Sequence, residues 1–179
     1  MGKIVLATII ISGSAKWLLN VDGNKEKWYG SDRIFMYVMT VFGAMTVNYS
    51  EQCTEYGWVV SNLRLLAGCL LAGGLLSAAY MDRRNCWVYN YVWWWCLPWA
   101  GILGMTAGGE FSGIVAVLVF VMLQQLLFSR MYGKADCHAF SVCALAECGN
   151  AVGMVGFLLQ MFLSVVLLTI CLLYTSPSP

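Results

Sequence analysis

Five long stretches of this chain contain no charged residue: 34–50, 65–81, 85–109, 111–129 and 148–173. A helix needs about 20 apolar residues, roughly 17–25, to cross the hydrocarbon core of a bilayer. Each of the five stretches is long enough. A further run, 4–15, is interrupted by Ser12, Gly13 and Ser14. It reads as a short span, an interfacial helix or part of a signal-like segment, without a small-residue cleavage site. The expected fold is therefore all-α: a polytopic membrane helical bundle of about five to six transmembrane helices.

Composition agrees. Of the 179 residues, 60% are hydrophobic and only 11% charged, too little polar surface for a water-soluble domain of this size. The net charge of +1 offers no basic surface, so nucleic acid is not an expected partner; the lipid bilayer is. Eight cysteines include no C-x-x-C pair, so no metal site is expected. Cys69, Cys96, Cys143 and Cys171 lie within apolar runs and read as small packing residues.

No internal repeat divides the chain, and residues 1–173 read as one domain. Residues 174–179 turn abruptly to Ser and Pro and resemble translated adaptor sequence, a probable non-native tail. The polar loops are 20–33, 51–62, 82–86, 106–112 and 129–136, with 82–86 expected as a tight turn. Basic residues select alternate loops: Lys25, Lys27 and Arg33, then Arg83 and Arg84, then Arg130 and Lys134. Arg64, at the edge of an opposite loop, is the exception. The positive-inside rule puts the basic loops, and with them Asp82 and Asp136, on the cytoplasmic side. Trp28, Trp58 and Trp87 fall at expected interfaces. Trp93, Trp94 and Trp95 fall deeper, on different helix faces.

After Asp136 the pattern changes. Cys137–Ala146 is apolar but reaches only roughly half of a hydrocarbon core, before Glu147, Gly149 and Asn150 break it. A short, partly inserted helix is expected there, followed by a span over 151–173.

Two carboxylates at the ends of different spans, on one side, are a functional signal because charge at a membrane bundle is costly. Two facing carboxyls can share a proton, one activating water while the other polarises a scissile carbonyl. That chemistry needs no cofactor. The same residues also allow an ordinary account: Asp82 paired with Arg83 or Arg84, Asp136 paired with Lys134 or Arg130, or Asp136 capping the helix that follows.

Met81-Asp82-Arg83-Arg84-Asn85-Cys86-Trp87-Val88-Tyr89-Asn90 resembles the first motif of type IV prepilin peptidases. In that family an Asp ends a span, a basic turn follows, and an Ile-Pro-Asn-like triplet opens the next helix. Here Asn90 is kept and Tyr89 stands for the proline. Gly133-Lys134-Ala135-Asp136-Cys137-His138 resembles the second motif, Gly-x-Gly-Asp-x-Lys or its Gly-x-Ala-Asp-x-Lys variant, with His138 in place of Lys. The resemblance covers roughly residues 62–173.

It implies a membrane aspartic endopeptidase with Asp82 and Asp136 as catalytic pair. The implied partner is a prepilin or pseudopilin, whose basic leader is cut at the inner face of the cytoplasmic membrane. The chain looks like the short, peptidase-only form, without the segment that larger members use in methyl transfer. Gly133 and Ala135, both small, would let a substrate strand approach. Asn90 would hydrogen-bond across the site or make an interhelical contact. His138 would cap or sit at the interface, or supply positive charge to Asp136. A catalytically inactive homologue, a pilus-assembly partner and a small proton-coupled transporter are alternatives, although inverted repeats are not evident. Presenilin-like proteases pair a similar second motif with Tyr-Asp, whereas here Met81 separates Tyr80 from Asp82.

Overall fold

The computed structural model describes residues 2–21, 30–52, 57–108, 111–124, 126, 133–147, 155–159, 161–163 and 166. It is all-helical: α1 Gly2–Asn20, α2 Gly30–Gln52, α3 Trp58–Asn85, α4 Asn90–Thr106, α5 Phe111–Leu123 and α6 Lys134–Glu147. Residues 155–159 and 161–163 are helical too, within the span expected over 151–173. Lys25, Lys27, Trp28, Arg130 and the 174–179 tail lie outside the described residues.

Contacts fix the helix directions. Ser77 Oγ donates to Ala15 O at 3.4 Å, and Gly73 abuts Ile11 and Ser14, so α1 and α3 run parallel. Gly43 approaches Ala72, Gly68 approaches Val47, and Arg83 lies over Phe35, so α2 runs against α3. Arg64 Nη1 donates to Leu103 O at 3.0 Å and to Thr106 Oγ1 at 2.9 Å, so the start of α3 meets the end of α4. Trp93 of α4 packs on His138 of α6, both near their helix starts. Ser141 Oγ lies 2.9 Å from the Gln124 side chain, turning α5 against α6. One end of the bundle thus gathers the end of α1, the start of α2, the end of α3, and the starts of α4 and α6. The exception at Arg64 has a local reason: its guanidinium closes the last turn of α4, where carbonyls lack helical partners.

Small residues fill the interior. Ala7, Ala15, Ala44, Ala67, Cys69, Cys96, Ala100 and Ala144 are fully or almost fully buried, as is Ser77. Large apolar side chains face outward, with Trp58 and Met105 82% exposed and Phe111 81%. This inverts the arrangement of a water-soluble core and matches helices that meet through small residues in apolar surroundings.

By length and composition, α1 and α3 can cross a membrane. Among the described residues these two are fewer than the five to six spans expected, and part of the difference has local causes. Residues 85–89 of the third run are taken by the end of α3 and the following turn, leaving α4 with 17 residues around Pro98. Within the run 111–129 the described regular helix covers 13 residues, after which Gln124 and Leu126 adopt a wider turn. In α2 the apolar stretch is flanked by Ser31, Asp32 and Arg33 at one end and Asn48, Ser50, Glu51 and Gln52 at the other.

The interrupted first run keeps the reading of a short span, because α1 is long and apolar enough to cross a membrane. Ser12, Gly13 and Ser14 do not break α1, which is one 19-residue helix. Ser12 Oγ donates to Ile9 O and Ser14 Oγ to Ile11 O, each at 3.1 Å, so neither hydroxyl competes for other backbone groups. The tryptophan triplet also separates. Trp93 is buried toward α6, and Trp94 is 74% exposed. Trp95 packs on Trp17 at 5.0 Å and donates to Leu70 O at 3.3 Å.

Candidate functional site

Asp82 lies in the last turn of α3, not in a tight turn. The turn comes after it: Cys86 takes the left-handed conformation (φ 52°, ψ 29°) and its N–H closes onto Asp82 O at 2.8 Å. Leu71, Leu75, Ala78 and Asp82 follow one another at helical spacings of four, three and four. The first three pack in the cluster between α3, α4 and α6, so Asp82 ends the stripe that faces this cluster. Its side chain is exposed. The neighbouring cations turn elsewhere. The Arg83 guanidinium lies 4.8 Å from the Phe35 ring centre, and Arg84 donates to Tyr80 Oη at 3.0 Å. Among the described residues the Asp82 carboxylate has no ion-pair partner.

Asp136 is the third residue of α6, inside the first turn, so it is not the residue that caps the helix from outside. Gly133 precedes the helix, and its carbonyl accepts the Cys137 N–H at 3.2 Å. The Asp136 carboxylate folds back over this end: a Cβ at Gly133 would lie 3.5 Å from Oδ2. A negative charge there is favoured by the unpaired N–H groups and dipole of the helix start. Asp136 is exposed, and among the described residues it has no ion pair with Lys134.

One cluster brings the two aspartates to the same end of the bundle. Met81, the residue before Asp82, and Ala135, the residue before Asp136, both pack there with Val88 and Val92. Ala135, Ala139 and Val142 turn one face of α6 toward this cluster, while Phe140 and Ala144 join the cluster with α5. At about 100° per residue, Asp136 projects from the flank between those two faces. Asn90 is the first residue of α4, exposed, and follows Tyr89, which stacks on Tyr91 at 5.7 Å. Asp82, Asn90, Gly133, Ala135 and Asp136 thus share one end.

His138 does not face Asp136. Residues two apart point roughly 200° from each other on a helix. His138 instead meets the Trp93 ring at 5.8 Å, on the other flank of α6.

Sequence reading missed how α6 is held. Gln124 is 1% exposed, and its side chain lies 2.9 Å from the Ser141 hydroxyl, which is 2.8 Å from Cys137 O. A buried carboxamide needs such a partner, and this one ties the first turns of α6 to the end of α5. The signal in the sequence is the pair Gln124-Gln125, polar amid an apolar run.

Among the described residues no group of three or more His, Cys, Asp or Glu could hold a metal ion. What the arrangement offers is a pair of solvent-exposed carboxyls at one end of an apolar bundle. Comparison with protein-family models, with curated proteins and with solved structures returned no match. The likeness to prepilin peptidases rests on the residues of the two motifs.

Proposed function

We propose that this chain is a multi-pass membrane aspartic endopeptidase that removes the basic leader of prepilins or pseudopilins at the cytoplasmic membrane face. The observation that supports this reading is that Asp82 and Asp136 lie toward one end of the bundle. They sit on separate helices, at one end, beside the cluster that contains Met81 and Ala135. Both carboxyls are exposed, so water and a peptide have access. The outward-facing large apolar residues support embedding of more helices than α1 and α3, since α4 and α5 present Trp94, Met105, Phe111 and Met122 to their surroundings.

In this reading the two carboxyls hold one proton between them. The ionised member takes a proton from a water molecule as that water attacks the scissile carbonyl, and the protonated member donates to the carbonyl oxygen. A tetrahedral intermediate forms without a covalent adduct to the protein. Its collapse returns a proton to the leaving amine and restores the shared-proton pair. The pair titrates together, so neither role belongs to one residue alone.

The test is co-expression with a reading frame encoding a Lys/Arg-rich leader before a hydrophobic helix. The expected result is a mobility shift equal to loss of the leader. Persistence of the full-length substrate across several such frames, with the protein in the membrane fraction, would favour a non-catalytic assembly partner instead.

A further inference from the structure

Leu65, Cys69, Ala72, Leu76, Tyr80 and Arg83 follow one another on α3 at helical spacings of four, three, four, four and three. The first five pack in the cluster that α3 shares with α1 and α2. Arg83 ends this stripe, whereas Asp82 ends the stripe toward α4 and α6. The last turn of α3 thus sorts its charges to different sides.

The Arg83 guanidinium lies 4.8 Å from the centre of the Phe35 ring, and its side chain is exposed. The ring engages one face of the cation. The N–H donors lie in the guanidinium plane, so the ring contact does not use them. Among the described residues no carboxylate forms an ion pair with Arg83. Arg33, exposed near the start of α2, and Arg84, which donates to Tyr80 Oη, add positive charge at the same end. Against these three cations the first turn of α2 sets one carboxylate, Asp32.

Beyond the cation the surface is apolar. Val38, Phe42 and Met45 follow Phe35 on α2 at spacings of three, four and three, and all three are exposed. From Phe35 to Met45 this line covers roughly 15 Å, about one leaflet of a hydrocarbon core. One turn before Arg83 on α3 stands Ala79, exposed and small, so no bulky side chain occupies that position beside the guanidinium.

We propose that this rim of α2 and α3 binds an anionic phospholipid. Phosphate oxygens accept from the Arg83 N–H groups, and an acyl chain lies along Phe35, Val38, Phe42 and Met45. The adjoining apolar line favours a lipid over a free phosphate, which would engage the cations alone. The site rests on the reading of the bundle as membrane-embedded and is independent of the peptidase chemistry.

The probe is pyrene-labelled phosphatidylglycerol, with pyrene-labelled phosphatidylcholine as the neutral counterpart, titrated against the purified full-length protein in a non-ionic detergent. Energy transfer from tryptophan to pyrene reads binding. Wild type is expected to bind the anionic lipid at least roughly fivefold tighter than the neutral one. Arg83→Gln should lose roughly fivefold in affinity for phosphatidylglycerol and little for phosphatidylcholine, and Arg83→Lys should retain most of the preference. Phe42→Ser should weaken both lipids several-fold. Glycerol 3-phosphate at equal concentration should displace neither.

Equal binding of the two lipids would overturn the site, as would an unchanged preference in an Arg83→Gln protein with a wild-type unfolding midpoint. Displacement by equimolar glycerol 3-phosphate would assign the cations to phosphate alone and overturn the lipid. The two readings fail separately. Protein in the membrane fraction that binds both lipids equally removes the site and keeps the embedding. Protein wholly in the soluble fraction removes both.

Discussion

Asp82→Asn and Asp136→Asn, each alone, are expected to lower leader cleavage by roughly 10²–10⁴-fold, the range that a positioned acid or base supplies. Asparagine keeps the size and shape of the side chain and removes the ability to ionise or to hold the shared proton. Both residues are exposed and, among the described residues, neither carboxylate has an ion-pair partner, so folding has little reason to change. Stability in detergent is expected to stay within about 0.5 kcal/mol of wild type. Because the two groups act as a unit, the double variant should be no slower than the slower single variant. Time courses of the mobility shift measure all three. Cleavage within tenfold of wild type by either single variant would remove that residue from the chemistry.

Gly73→Leu is expected to destabilise the bundle by about 3 kcal/mol, at the upper end of what overpacking costs. A Cβ at Gly73 would collide with the Ser14 hydroxyl and come within 3.0 Å of Ile11 O. The second contact is backbone, so relief requires α1 to move off α3. The adjacent Gly74 faces the other way, where a Cβ would collide with Cys96 Sγ and lie 3.1 Å from Trp95 Cδ1. These two glycines let α1 and α4 close on opposite sides of α3, and in the proposed membrane setting van der Waals contact, not water exclusion, would hold the helices together. Gly101→Leu is the control. A Cβ there meets nothing within 4 Å. Leucine also favours a helix over glycine by roughly 1 kcal/mol, so stability should hold or rise. Unfolding midpoints in mixed micelles measure the pair. Equal effects at Gly73 and Gly101 would refute close helix contact as the source of stability.

Much of the architecture was legible from residue order alone. Charge-free runs separated by short polar segments announced helices but not their ends: α3 starts at Trp58, inside the expected 51–62 loop, and runs to Asn85, through the expected 82–86 turn. Cations in alternate loops indicated that Arg33, Arg83, Arg84 and Lys134 share an end, and the helix directions bring those residues together. The same alternation placed Asp82 and Asp136 at that end. The short helix after Asp136 was also legible, although it begins at Lys134 and not at Cys137. These features depend on composition and period, which are local properties of a segment.

Other features waited on the assembled bundle. Ser12-Gly13-Ser14 interrupts the apolar run and left short span, interfacial helix and signal-like segment open; α1 continues through it, with Ser12 and Ser14 bonding back within the helix and Ser14 seated against Gly73 of α3. Three consecutive tryptophans were expected on different helix faces, and only the bundle shows what each meets: one His138, one the outside and one Trp17. His138, two residues past Asp136, meets the Trp93 ring, a neighbour the sequence did not indicate. Gln124 and Ser141, 17 residues apart, showed no relation until α5 and α6 folded against each other. Hydropathy and charge decide which segments become helices and which ends gather together. Which side chains touch depends on rotation about each helix axis, and that is set by how small residues such as Gly73 and Gly74 allow two backbones to close.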